Sequence, residues 1–143
     1  MNWKRIRSVL FVTSRETNLG YLALRIFAGA ALMTHGIPKI LAGPERWESL
    51  GGVMGQLGIP GPAVFWGFMA SVAESVGALL LLLGGFTTVA SFLVVSTMGV
   101  AAFVAHAGDP FARRELALFF FFTAILYMVK GGGRYSLDTL LRR

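Results

Sequence analysis

A handful of side chains in this sequence pair an ionisable or hydrogen-bonding group with an apolar neighbourhood. Arg25, His35 and Lys39 lie in one apolar run, 21–42. At about 100° per residue they fall within roughly 80° of one another, on a helical face that also carries Gly29 and Gly36. Glu74 stands near the middle of a second run, 63–83, among Gly67, Ala70, Ser71, Gly77 and Ala78. An ionisable group inside a membrane span is expensive, so it turns inward and finds a partner. With the two runs antiparallel, Arg25 is the expected partner of Glu74, within one or two turns in depth. Two readings stay open for that pair. It either fixes how two helices dock, or it sets local charge and relays a proton. Arg25 and Lys39 could also snorkel to the interface without meeting Glu74.

His35 sits roughly 9 Å below the outer end of its helix, counting 1.5 Å per residue. Pro38 removes the amide that would bond the Thr34 carbonyl, which leaves a kink and a spare acceptor beside the histidine. His106 ends the third apolar run on the same side of the membrane, and Trp47 lies in the first outer loop. The candidate ligand-binding residues are therefore His35, Lys39, Trp47, Glu74 and His106, lining a polar pocket that opens outward. The plainer alternative for His35 is a hydrogen-bonded packing residue. Two histidines could also ligate a b-type haem, but about two turns of depth separate them, which disfavours it. No second carboxylate lies near Glu74, so no metal site is expected. There is no phosphate loop and no serine–histidine–acid arrangement, and no catalytic residue is assigned.

The elements that hold these residues are read from composition and punctuation. The 143 residues are 55% hydrophobic and 14% charged, against about a quarter charged in soluble domains. A soluble bundle of this size could not hide so much apolar surface. Four apolar runs of close to the roughly 20 residues needed for a crossing predict helices at 19–42, 62–83, 87–106 and 110–130. Gly43-Pro44 stops the first. Gly61-Pro62 introduces the second and Gly84-Gly85 ends it. Thr87-Thr88 starts the third, and Thr17 or Asn18 caps the first. Asp109-Pro110 supplies an N-cap and first residue for the fourth, and Gly131-Gly132-Gly133 stops it. The expected fold is all-α: one domain, an integral membrane four-helix bundle running up-down-up-down.

The net charge of +6 comes from basic clusters that flank the apolar runs rather than line one polar face, which speaks against a nucleic-acid partner. Lys4, Arg5, Arg7 and Arg15 precede the first run; Lys130, Arg134, Arg142 and Arg143 follow the last. Basic residues on the opposite face are partly offset by acidic ones, so the positive-inside bias puts both termini in the cytoplasm. The stretch Ser8–Val12 is too short for the core of a cleavable signal. Trp3, Ile6 and Leu10 share a helical face ringed by basic residues, the pattern of a short interfacial helix. Trp47, Leu50, Met54 and Leu57 give the loop 43–61 an amphipathic spacing broken by Gly51-Gly52, either an interfacial cap over the outer mouth or a glycine-rich loop. The absence of cysteine excludes disulfides, thiol relays, iron–sulfur clusters and cysteine-ligated zinc.

The order and spacing of Arg25, His35-Gly36 with Lys39, Leu57-Gly58-Ile59-Pro60, Glu74 with Gly77, Leu82-Leu83-Gly84, Met98 through Ala101 and His106 resemble the DoxX family of small four-helix membrane proteins. The ending adds to the likeness: Glu115-Leu116-Ala117, then Gly131-Gly132-Gly133-Arg134-Tyr135-Ser136-Leu137-Asp138. Members are described as the membrane subunit of an archaeal thiosulfate:quinone oxidoreductase and as partners in bacterial oxidoreductase complexes linked to redox stress. The resemblance implies a multi-pass protein of the cell inner membrane, a quinone as the candidate cofactor, and a soluble or membrane oxidoreductase subunit as a candidate partner. It carries over no catalytic residue. Wider relatives include vitamin K epoxide reductase-like proteins, whose cysteines are missing here, and proteins that look like chaperones or cargo receptors. The alternative function is accordingly a non-catalytic anchor, assembly factor or chaperone for a partner protein. A homo-oligomer is compatible with either function.

Overall fold

The structure, a computed structural model, describes residues 19–142. The expected interfacial helix through Trp3, Ile6 and Leu10, and the Thr17 and Asn18 caps, lie outside the described residues. Four long helices dominate: α1 Leu19–Leu41, α3 Ala63–Leu83, α4 Thr87–Ala105 and α5 Phe111–Lys130. Between the first two lies α2, Pro44–Gly51, continued by a 3₁₀ turn Gly52–Leu57. A last short turn, α6, spans Leu137–Leu140. These limits fall within a residue or two of the apolar runs because the stops are local. Gly84, for example, closes α3 at φ 68°, a backbone conformation open to glycine.

Each long helix packs antiparallel to its chain neighbour, and α5 returns to α1. Small residues set the first of these contacts. A Cβ at Gly36 would fall inside the Glu74 backbone, and one at Gly29 would lie 2.6 Å from Leu82 Cβ. Ala28 and Leu32 of α1, Ala78 of α3, Val94 and Met98 of α4, and Phe120 and Ala124 of α5 form the shared core. A second cluster nearer the Gly84 end of α3 joins Leu81, Ala90 and Tyr127. Large apolar side chains instead face outward on every long helix, among them Phe27, Phe65, Phe92, Phe103 and Phe122. In water such a surface would be a liability; against acyl chains it is the favoured one.

Two helices, Ala63–Leu83 and Thr87–Ala105, are long and apolar enough to cross a membrane, and a third is added if α1 and the segment Pro44–Leu57 count as one span bent by 116°. Arg113, Arg114, Glu115 and Lys130 make α5 the most charged of the four. α4 and α3 each contain a π-helical turn, Ala101–Ala105 and Ala73–Gly77. Such turns insert a residue into the helical ladder and concentrate at functional sites.

Pro38 lies inside α1, which runs on to Leu41 as expected. One local expectation is corrected. Asp109 does not cap α5: its carboxylate binds His106 Nδ1 at 2.8 Å and approaches Arg113, and the α5 N-terminus has no side-chain cap. Of the two readings left open for the loop after α1, the structure has the helical one, Pro44–Gly51 followed by the 3₁₀ turn Gly52–Leu57. It packs chiefly against the start of α3, and its 3₁₀ end reaches the π turn of α4. At Gly67 the Trp47 carbonyl comes so close that a Cβ there would collide with it.

Candidate functional site

The register of α1 against α3 decides which charges meet. Gly36 lies against Glu74 and Ser75, Gly29 against Ala78 and Leu82, and Arg25 against Gly84. At that register α1 stops about two turns short of the Ala63 end of α3. α2 packs beside the overhang, with Gly51 against Ala63 and Trp47 against Gly67. Glu74 is thereby level with the last turns of α1 rather than its first. The expected Arg25–Glu74 pair does not form. Arg25 and Glu74 are separated by about ten residues of α3, or roughly 15 Å along its axis.

Glu74 pairs with Lys39 instead. Lys39 Nζ lies 2.7 Å from Oε1 and 2.6 Å from Oε2 of Glu74. The glutamate side chain is 5% exposed and the lysine side chain 26%. The carboxylate therefore sits inside the helix packing, while the ammonium bridges from it toward the surface. A buried carboxylate inside a span needs such a counter-charge. Trp47 completes the arrangement through Nε1, which donates to the Lys39 carbonyl at 3.0 Å. That carbonyl belongs to the last turn of α1, where no helical amide is left to satisfy it. Trp47 also stands edge-on to Phe68, with ring centroids 4.9 Å apart.

His35 lies one turn deeper on α1. It is exposed on the surface of the chain and stands edge-on to Phe120 of α5, with ring centroids 6.4 Å apart. His106 engages Asp109, and next to it Arg114 Nε donates to the Ala102 carbonyl in the π turn at 2.9 Å. The structure thus brings Lys39, Glu74 and Trp47 into direct contact and sets His35 on the neighbouring turn. His106 belongs to a separate cluster with Asp109 and Arg113.

A second polar centre, at the end of the bundle opposite Lys39 and Glu74, was not anticipated. Arg25, 2% exposed, donates to the carbonyls of Gly132, Tyr135 (2.6 Å) and Leu82 (3.3 Å). Asp138, fully buried, accepts from the amides of Phe86 at 2.7 Å and Thr87 at 2.9 Å, and its own amide donates to the Gly84 carbonyl. The carboxylate thus takes up the free amides at the start of α4 and complements its dipole. Tyr21 donates to the Gly131 carbonyl at 2.6 Å, and Tyr127 donates to the Tyr21 carbonyl at 2.7 Å. One signal was available in the sequence. A run of three glycines followed by Arg134-Tyr135-Ser136-Leu137-Asp138 leaves many carbonyls without helical partners, and a buried arginine is suited to collect them.

The family model for DoxX matches residues 20–107. An uncharacterised protein of Haemophilus influenzae is 34% identical over 122 residues, which cover 80% of this chain and 85% of that protein. No solved structure matches significantly. With a family match over more than half its length and apolar helices long enough to span a bilayer, the chain belongs to the DoxX family and is a membrane protein.

Proposed function

We propose that this protein crosses the cell inner membrane four times with both termini in the cytoplasm, and binds a quinone or similar small apolar ligand near its outer end, as a subunit of a membrane redox system. The observation that carries this reading is the Lys39–Glu74 pair, a nearly buried carboxylate whose ammonium partner remains a quarter exposed. The accessible His35 lies one turn away. That donor set suits a ligand whose polar atoms are carbonyl oxygens on an apolar ring. Lys39 and an imidazole N–H of His35 would donate to it, and Glu74 would hold Lys39 in place and supply a proton acceptor. A bound quinone would bring two-electron, two-proton chemistry; the chain itself supplies hydrogen bonds, charge and an apolar wall that includes Phe120. Electrons would come from a partner oxidoreductase, since the sequence contains no cysteine for a thiol relay.

The test is thermal unfolding of the detergent-purified protein with a short-chain ubiquinone or menaquinone analogue. Ligand at a hundred times its Kd stabilises a protein by about 2.7 kcal/mol. The wild type should show such a shift, while His35→Ala and Lys39→Met should lose it and remain folded without ligand. Absence of a shift in the wild type rejects the reading.

A second reading, a non-catalytic anchor for a partner protein, draws on the inner end. There the hydrogen bonds of Arg25 and Asp138 tie helix ends together. Co-purification of an oxidoreductase together with no response to quinone would favour it.

A further inference from the structure

We propose that the groove beside the C-terminal turn binds an anionic phospholipid, with the phosphate against Arg134 and the start of an acyl chain along Leu83, Leu137 and Leu140. The groove has a volume of about 380 Å³ and is lined by Leu83, Arg134, Tyr135, Ser136, Leu137 and Leu140. It lies at the opposite end of the molecule from Lys39 and Glu74, and does not depend on the quinone reading.

Three features carry the inference. The first is rigidity. One wall is the segment that Arg25 holds through the Gly132 and Tyr135 carbonyls, and that Asp138 pins to the start of α4. Ser136 adds hydrogen bonds to the Gly133 carbonyl and to Thr139. A site whose walls are already ordered loses little entropy on binding. The second feature is charge. Arg134 is exposed and makes no hydrogen bond or ion pair among the described residues, and the same holds for the exposed Lys130 four residues before it. The one carboxylate of the segment, Asp138, is buried and turned toward the Phe86 and Thr87 amides, so it does not neutralise the rim. The third feature is the pairing of that cation with apolar surface. Leu83, Leu137 and Leu140 are exposed at 42%, 39% and 62%. A phosphate alone would need only the arginine, and an acidic soluble protein would leave the leucines in water. A phospholipid satisfies both. Among the described residues this end carries Lys130, Arg134 and Arg142 with no exposed carboxylate, a local charge that suits an anionic leaflet.

The experiment follows binding by native mass spectrometry and by thermal unfolding in a neutral detergent. Three additives are compared: phosphatidylglycerol, phosphatidylcholine and inorganic phosphate. Phosphatidylglycerol should remain bound after detergent release and raise the unfolding temperature; the other two should do neither. Arg134→Gln should weaken apparent affinity for phosphatidylglycerol about fivefold, the loss expected for one basic residue at an anionic surface. Arg113→Gln, which removes an exposed cation at the outer end, should leave that affinity unchanged. Arg134 has no partner to lose, so its variant folds. The proposal is overturned by equal stabilisation from phosphatidylcholine, by a response to inorganic phosphate alone, by unchanged affinity in Arg134→Gln, or by an equal loss in Arg113→Gln.

Discussion

At the scale of single residues, the charges found partners by register rather than by sequence proximity. Reading the sequence identified Arg25, Lys39 and Glu74 as the intramembrane charges and placed them on facing helices. It could not tell which cation takes the carboxylate, because that depends on how far α1 slides along α3. The slide is set by Gly36 against the Glu74 backbone and by α2 filling the overhang, neither of which is a local property of the sequence. The pairing makes a specific prediction. Removing one member of a buried ion pair costs more than removing both. Glu74→Leu and Lys39→Met should each lower stability, Glu74→Leu the less because Lys39 can reach water. The double variant should recover most of the loss, and a double-mutant cycle of thermal unfolding in detergent measures the coupling. Additive losses would show that the pair contributes nothing. Arg25 should behave differently. Arg25→Met leaves three carbonyls without their donor, at about 1–3 kcal/mol for each buried group left unsatisfied. Arg25→Lys should restore only part, because an ammonium on a flexible stem cannot serve three fixed carbonyls as a planar fork does.

Elements were legible to the extent that their signals are local. Apolar runs and glycine or proline stops located all four long helices, and the Trp47 to Leu57 spacing marked an amphipathic segment that is helical. The π turns at Ala73–Gly77 and Ala101–Ala105 have no comparable signature, since an inserted residue leaves composition unchanged. The α6 turn and the glycine run before it are shaped by Arg25 and Asp138, residues that belong to other parts of the chain or act on them. Helix contact can be tested with paired glycine substitutions. Gly36→Ala forces a methyl into the Glu74 backbone, which cannot move aside as a side chain can. Overpacking of this kind costs about 1–3 kcal/mol, and here it should also loosen the Lys39–Glu74 pair. At Gly99 the nearest atom is the ring edge of Phe121, 3.2 Å away, and a ring can tilt. Gly99→Ala should therefore be neutral or slightly stabilising, helped by up to about 1 kcal/mol of helix propensity. Comparing unfolding temperatures of the two variants separates backbone contact from side-chain contact; equal effects would contradict the register described for α1 and α3.

For the whole molecule, the open physical question is whether α5 crosses the bilayer despite its charge. Arg113, Arg114 and Glu115 crowd its first two turns, and Lys130 ends it. Arg114 is partly sheltered by its bond to the Ala102 carbonyl, and the other three can lie at the interfaces. The apolar stretch between them, Leu116–Val129, is short for a bilayer about 30 Å thick, but helix α5 is 20 residues long, which suffices if its charged ends reach the headgroups. Phe120, Thr123, Ala124 and Tyr127 bury against the other helices, so α5 cannot lie flat on the membrane without leaving the core. The prediction is that Gly108 and Arg142 lie on opposite sides. The sequence contains no cysteine, so Gly108→Cys and Arg142→Cys each create a single label site at an exposed position. In intact cells a membrane-impermeant maleimide should modify Gly108→Cys, and should reach Arg142→Cys only after the membrane is opened. Gln56→Cys, in the 3₁₀ turn after α2, should behave like Gly108→Cys, since both lie at the same end of the bundle. If Gly108→Cys and Arg142→Cys share a side, α5 does not cross and the chain has three spans. The termini would then face opposite compartments, and the basic flanks would no longer explain the orientation.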